Sequence, residues 1–279
     1  MTIVSFQEFD GLYQDAVNQV YRHWTPGMQD EMAAHCFGWG RGRFDFLAYL
    51  RASAQRFYLA YRSIASHGAG LSLCDIGGFW GVFAITMSRL GYRVTMTEAL
   101  KYYSDSFTEL FAYISTQGVT IVDYDPFQEG AKSIGSFDAL SVMAVLEHYP
   151  HSPRTFMANV TGMMQPQGLL YLEVPNIAYW PRRVNLLRGI SPLPALETIY
   201  RSDVPFIGHH HEYTMAELRY LAEVSGLGVV QERYYNYSPG TAPSLRLLLR
   251  NPLMLLAFAM IKDSRECLAV LCQRTDSHA

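Results

Sequence analysis

The chain has 279 residues, with 22 Lys or Arg against 25 Asp or Glu for a formal net charge of −3. Charged residues make up 17% and hydrophobic residues 49%, which excludes intrinsic disorder and allows a large core. No basic field favours nucleic acid, and the length fits one large α/β domain or two small ones. The cysteines, Cys36, Cys74, Cys267 and Cys272, include no C-x-x-C pair, so neither a zinc site nor a disulfide framework is expected. The N-terminal run MTIVSFQEFDGLYQDAV lacks the basic and apolar regions of a signal peptide. The longest apolar run, Leu253 to Ile261, is too short to span a bilayer, and a cytoplasmic chain is expected.

Residues 1–70 are rich in aromatics at helical spacing. From Phe44 to Ala65, the residues Phe46, Leu47, Leu50, Ala54, Phe57, Tyr58 and Tyr61 share one side of a predicted helix, and Gly38, Gly40 and Gly42 break the stretch before it. From Leu71 onward the pattern changes. Short β-type runs at 71–76, 92–98, 119–125, 137–145 and 169–174 alternate with helical stretches at 82–91, 103–116 and 151–164, the last opening on Ser152-Pro153. Alternation of this kind predicts βαβ units and a parallel sheet with right-handed crossovers.

The alternation pauses over residues 177–213, an insertion expected to act as a lid. Arg182, Arg183 and Arg188 on it form a solvated helix face or hold an acidic group of a ligand. Thr214 and Glu217 form a capping box for a helix that ends near Gly226, and a strand follows at 227–235. A helical segment interrupted at Pro252 precedes a last strand at 266–273. The segment from Leu245 to Lys262 either packs on the core or lies on a membrane surface with Arg246, Arg250 and Lys262 flanking its apolar faces.

The most informative stretch is Leu73-Cys74-Asp75-Ile76-Gly77-Gly78-Phe79-Trp80-Gly81, a buried strand ending in a carboxylate and a glycine turn. Glycines there permit positive φ and let backbone N–H groups approach a ligand. The spacing is not G-x-G-x-x-G, which argues against a nicotinamide oxidoreductase. Asp75 suits a cationic or amino-bearing ligand better than a pyrophosphate. Glu98 closes the second strand, where an acid can accept from both hydroxyls of a ribose.

Together these residues resemble a class I S-adenosylmethionine-dependent methyltransferase of the type 11/23, ubiquinone/menaquinone-biosynthesis-like group. The segment from Asp75 to Gly81 is similar to the family's D-I-G-C-G-T-G, and Ala144 to Pro150 is similar to E-V-L-E-H-x-P. Met164 to Leu170 resembles L-K-P-G-G-x-L, Leu172 to Asn176 matches the fifth-strand end, and His209 to Thr214 resembles H-x-x-E-Y-T. The motifs run in the family's order over roughly residues 70–230.

The resemblance implies a Rossmann-like seven-stranded α/β sheet with helices on both faces and the last strand antiparallel. It divides the chain into a helical segment, 1–70, and a cofactor-binding domain, 71–279, with the 177–213 insertion as a cap. It implies S-adenosylmethionine as cofactor, with Asp75, Gly77 and Gly78 near the methionyl amino group and Glu98 on the ribose. Asp125, or Asp123, would face the adenine amino group, Gly81 would allow close helix approach, and Met143 would line the methionine arm. Phe79 stands where the family has glycine. Phe79 and Trp80 must therefore turn away from the cofactor or close over it, and a blocked turn would leave a regulatory or scaffold relative without turnover.

The implied reaction is methyl transfer to a small-molecule acceptor. Oxygen is favoured because histidine bases are available near neutral pH. The catalytic candidates are His209 and His148, with Glu212 and Glu147 as orienting carboxylates and His151 and His211 as further bases. No metal is expected, because the consecutive His209, His210 and His211 cannot all point at one centre along a regular backbone.

Overall fold

The computed structural model describes residues 3–35, 45–202, 206, 208–238, 241 and 245–275; Gly38, Gly40, Gly42 and Cys36 lie outside these residues. Seven strands form one sheet: β1 (Ser72–Ile76), β2 (Arg93–Glu98), β3 (Val119–Asp123), β4 (Phe137–Met143), β5 (Met164–Pro175), β6 (Leu227–Tyr235) and β7 (Cys267–Arg274). Their order is β3-β2-β1-β4-β5-β7-β6. Neighbours are parallel except β7, which runs antiparallel to both β5 and β6, as the family resemblance implied.

The central strands are buried on both faces, so their sequences are nearly continuous apolar runs. Strand periodicity divides these residues between two cores. Leu73, Ala139, Leu169 and Tyr171 face one core, while Cys74, Leu140, Leu170 and Leu172 face the other. Helices α7 (Pro153–Thr161) and α10 (Met215–Val224) supply Phe156, Val160, Leu218 and Leu221 to the second core. Both start as predicted: Ser152 caps α7 with Pro153 following, and Thr214 and Glu217 complete the α10 capping box.

The first core is closed by α5 (Val82–Arg89), α6 (Thr108–Thr116) and the N-terminal helices α1 (Phe6–Arg22), α2 (Pro26–His35), α3 (Phe46–Ala52) and α4 (Ala54–Ala65). Phe9, Tyr13, Val17 and Ile64 are fully buried there. The N-terminal segment is therefore part of a sheet-covering layer as well as a wall of the crevice. The single helix predicted across 44–65 is two helices meeting at Ser53. The Ser53 hydroxyl donates back to the Tyr49 carbonyl at 2.8 Å, a contact that bends helices. The helix predicted from Tyr103 begins at Thr108, because Ser104 captures the Ser106 amide and Glu31 accepts from Ser104 N at 2.8 Å. Those contacts hold a short 3₁₀ turn in place.

The insertion carries two short helices, α8 (Trp180–Leu187) and α9 (Leu196–Arg201). After β6 come α11 (Leu245–Arg250) and α12 (Pro252–Met260), broken at Asn251-Pro252 as expected. α12 packs one side only: Met254 and Phe258 join Tyr179 and Trp180, while Leu253, Leu256 and Met260 are exposed. Among the described residues no helix is long and apolar enough to cross a membrane.

Candidate active site

Strand order reverses between β1 and β4, and in open α/β sheets ligands bind in the crevice beyond the strand ends at such a point. Here the crevice is a cavity of about 750 Å³, within the range of small-molecule sites. Asp75, Gly77, Gly78, Phe79, Glu98, Met143 and Ala144 form its floor. Phe46, Tyr49, Arg56 and Phe57 from α3 and α4 wall one side, and Glu147, His148, Tyr179, Arg182 and His209 wall another.

The β1 register places Asp75 beside Ser141 of β4, whose hydroxyl donates to Asp75 Oδ1 at 2.6 Å. Burial pushes the Asp75 carboxyl up to about 7, against the lowering effect of that hydrogen bond. Gly77 adopts φ +66° and donates to the Thr97 carbonyl at 3.0 Å. A Cβ on Gly78 would lie 2.4 Å from Met96 Cγ and 2.9 Å from Asp75 Oδ2, so glycine lets the turn pack this closely on β1 and β2. Phe79 has φ +56°, a costly conformation for an aromatic residue. Its amide donates to Glu98 Oε1, which holds the turn against β2.

Of the two options that the sequence left open, Phe79 and Trp80 are both found at the cavity. Trp80 is almost fully buried, with ring centroids 3.8 Å from Trp24 and 4.9 Å from Phe46, and still belongs to the cavity lining. Phe79 stacks on Trp80 at 5.0 Å and lines the cavity without filling it. Glu98 is engaged on both oxygens, the second accepting from the Tyr103 hydroxyl at 2.7 Å. Burial raises its carboxyl to about 7, and those two hydrogen bonds act in the opposite direction.

Beyond β4, the backbone joins two segments that are distant in sequence. Ala144 turns the chain at φ +55°, and the His210 amide donates to the Glu147 carbonyl at 2.8 Å. This sets His209 against the turn containing Glu147 and His148. Glu212 Oε1 lies 2.8 Å from His209 Nδ1 and also accepts from Arg182 Nη2 at 2.8 Å. The contact places the His209 proton on Nδ1 and leaves Nε2 as an acceptor, 4.0 Å from Glu147 Oε1. His148 and His209 meet edge to face with centroids 4.8 Å apart. Burial, then His148, lowers His209 to about 3, so the ring is neutral, while burial raises Glu147 to about 8.

Arg182 is committed to Glu212 and to the Asn176 carbonyl, so neither sequence reading of it holds: it is not a solvated face and not free for a ligand's acidic group. Opposite it stands a buried pair that the sequence did not reveal, Arg56 Nε donating to Glu173 Oε2 at 2.5 Å. Arg56 Nη1 also donates to the Tyr49 hydroxyl at 2.8 Å. The partners are 117 residues apart, and only the tertiary fold brings them together.

Comparison with known proteins matches residues 46–232 to a family model described as a methyltransferase domain. The chain belongs to the methyltransferase domain family. It is 29% identical over 121 residues to a ubiquinone biosynthesis O-methyltransferase of Xanthomonas axonopodis pv. citri (strain 306), covering 42% of this chain and 48% of that protein. The chain thus spans about half the length of the curated relatives it matches. Among solved structures it resembles magnesium protoporphyrin IX methyltransferase from Synechocystis PCC 6803 with bound S-adenosylhomocysteine, at TM-score 0.54 and 14% identity over 92% of this chain and 99% of that one. It also resembles the N-methyltransferase NodS from Bradyrhizobium japonicum WM9, solved with the same ligand, at TM-score 0.51 and 15% identity over 81% and 88%. At these identities the likeness is one of fold.

Within this methyltransferase domain the cavity gathers most of the residues singled out from sequence: Asp75, Gly77, Gly78, Phe79, Glu98, Met143, His148 and His209. Glu212 stands behind His209. Gly81 does not line the cavity. Its φ of +68° and the 2.8 Å approach of Ile114 Cδ1 to a built Cβ show that it serves α5–α6 packing. Asp125 also lies off the lining, paired with Lys101 Nζ at 2.7 Å and accepting from Phe127 N at 2.9 Å. Asp123 accepts from Leu100 N at 3.0 Å.

Proposed function

We propose that this chain transfers a methyl group from S-adenosylmethionine to a hydroxyl of a small, largely apolar acceptor. The observation that carries the reading is one cavity with two buried acids, Asp75 and Glu98, beside the Gly77-Gly78 turn, and a histidine held by a carboxylate, His209 on Glu212. The residues fit the cofactor: Gly78 packs so closely on Met96 and Asp75 that its backbone lies bare at the floor, and burial raises both acids to about 7 although Arg56 acts on Asp75 in the opposite direction. Glu98 would hold the ribose hydroxyls and Asp75 the amino group. Bound there, S-adenosylmethionine supplies a methyl already activated by its sulfonium, and the chain's task is alignment and exclusion of water.

Phe46, Tyr49 and Phe57 give the acceptor end an apolar wall, and His209 is the residue placed to act at the acceptor oxygen, with His148 beside it. The curated relatives being O-methyltransferases by name supports oxygen as the acceptor atom. Replacing His209 by Ala is expected to lower kcat by about 10²-fold, the low end for a general base because burial lowers this ring to about 3, while leaving the affinity for S-adenosylhomocysteine unchanged. Acceptor-screen turnover and calorimetry check this, and undiminished kcat would remove His209 from the reaction.

The raised carboxyls also set a pH dependence. Below about 7 Asp75 and Glu98 hold protons, and a ligand that needs them ionised must displace those protons. Affinity for S-adenosylhomocysteine therefore falls as pH drops below 7, toward about tenfold per pH unit for each carboxyl. It levels off above 7. Calorimetric titrations on either side of neutrality measure the slope, and flat affinity would contradict the assignment.

A further inference from the structure

Glu147 is completely buried, yet neither of its carboxylate oxygens has a hydrogen-bond partner. Buried polar atoms left this way are costly and mark strain or a ligand. The side chain sits on the cavity wall beside His148 and His209. One ligand-type atom from each of the three residues lies within 4.8 Å of the others. His209 is further fixed by Glu212 at Nδ1, which aims Nε2 toward Glu147. A carboxylate behind a histidine that presents its other nitrogen is the usual support of a metal-bound imidazole.

We propose that Glu147, His148 and His209 hold a divalent transition-metal ion of the zinc class on the cavity wall. Two imidazoles and one carboxylate suit such an ion better than magnesium, which prefers oxygen ligands. Three protein ligands facing a cavity leave a further position open, the arrangement of a catalytic site. Bonds of about 2.0–2.1 Å place ligand atoms about 3.3 Å apart in a tetrahedral site. The triad thus closes by about 1.5 Å from its 4.8 Å spread when the ion is bound. The ion draws on one of the three consecutive histidines and on a turn some sixty residues earlier, so the consecutive run alone gave no sign of it.

The role of the ion rests on the reading above. A hydroxyl on the open position loses its proton to solvent more readily than a free one, and His209 then serves the acceptor oxygen as a ligand. Glu212 is a positioning residue in this arrangement. The triad itself does not depend on which acceptor is used.

The test is titration of Co²⁺, as a coloured zinc substitute, into metal-stripped full-length protein, with calorimetry of Zn²⁺ and of S-adenosylhomocysteine on the same samples. One equivalent of ion with visible ligand-field bands is expected. The bands are lost in Glu147→Gln and His209→Ala and kept in His211→Ala, whose exposed side chain lies at Glu217. Glu212→Gln is expected to weaken ion binding by about 10–100-fold, as outer-shell changes do. Retained S-adenosylhomocysteine binding shows that the variants are folded. No stoichiometric ion, or the same spectrum in both ligand variants, overturns the proposal whether or not S-adenosylhomocysteine binds. Loss of S-adenosylhomocysteine binding by the unmodified protein overturns the functional reading instead.

Discussion

Glu98→Ala is expected to raise the dissociation constant for S-adenosylhomocysteine by about two to four orders of magnitude. Hydrogen bonds to a charged group contribute about 1.5–3 kcal/mol each, and a ribose offers two hydroxyls to this carboxylate. The substitution also frees the Phe79 amide and the Tyr103 hydroxyl, both of which donate to Glu98. The turn that carries Phe79 at positive φ thus loses its tie to β2. Glu98→Gln keeps an acceptor for the Phe79 amide and is expected to lose less affinity. Calorimetry on the two variants separates the roles, and equal losses would show that the carboxylate's charge, not the tie, decides affinity. Unchanged affinity in Glu98→Ala would remove Glu98 from the cofactor site.

Arg56→Ala is expected to destabilise the fold by about 3–5 kcal/mol, because it leaves Glu173 as an uncompensated buried charge. Both side chains are almost fully buried, at 3% and 1% exposure, so solvent cannot replace the lost partner. Replacing the two together by Met is expected to recover most of that loss, since a well-packed apolar pair of similar volume is often neutral or stabilising. Denaturant unfolding of the single and double variants measures the coupling. A single variant as stable as the parent would mean that the pair does not anchor α4 to the sheet.

The order of elements was legible because each depends on local pattern: apolar runs for strands, Ser152-Pro153 and the Thr214–Glu217 box for helix starts. The cavity floor was legible for a similar reason, as its glycines and acids are contiguous or sit at strand ends. Errors arose where side-chain chemistry interrupts a periodic pattern, as at Ser53 and Ser104, whose hydroxyls compete for backbone groups. The family pattern also placed Asp125 by position, without the Lys101 that engages it. Least legible were contacts across long separations: Arg56 with Glu173, and Glu147 with His209. Their residues lie in stretches whose patterns fit ordinary helix and turn positions. A charged residue on a helix otherwise aromatic on that side, such as Arg56 beside Phe57, was the one available hint.

The 117-residue separation of Arg56 and Glu173 has a consequence for synthesis of the chain. At about 5–20 residues per second, α4 leaves the ribosome on the order of ten seconds before the strand that neutralises it. During that interval α5, α6 and β1–β4 are already made, but Arg56, buried in the finished protein, has no carboxylate to meet. The helix that lines the cavity is thus the one that must wait for its ion pair, and the nascent chain carries that unneutralised charge among aromatic side chains until β5 emerges.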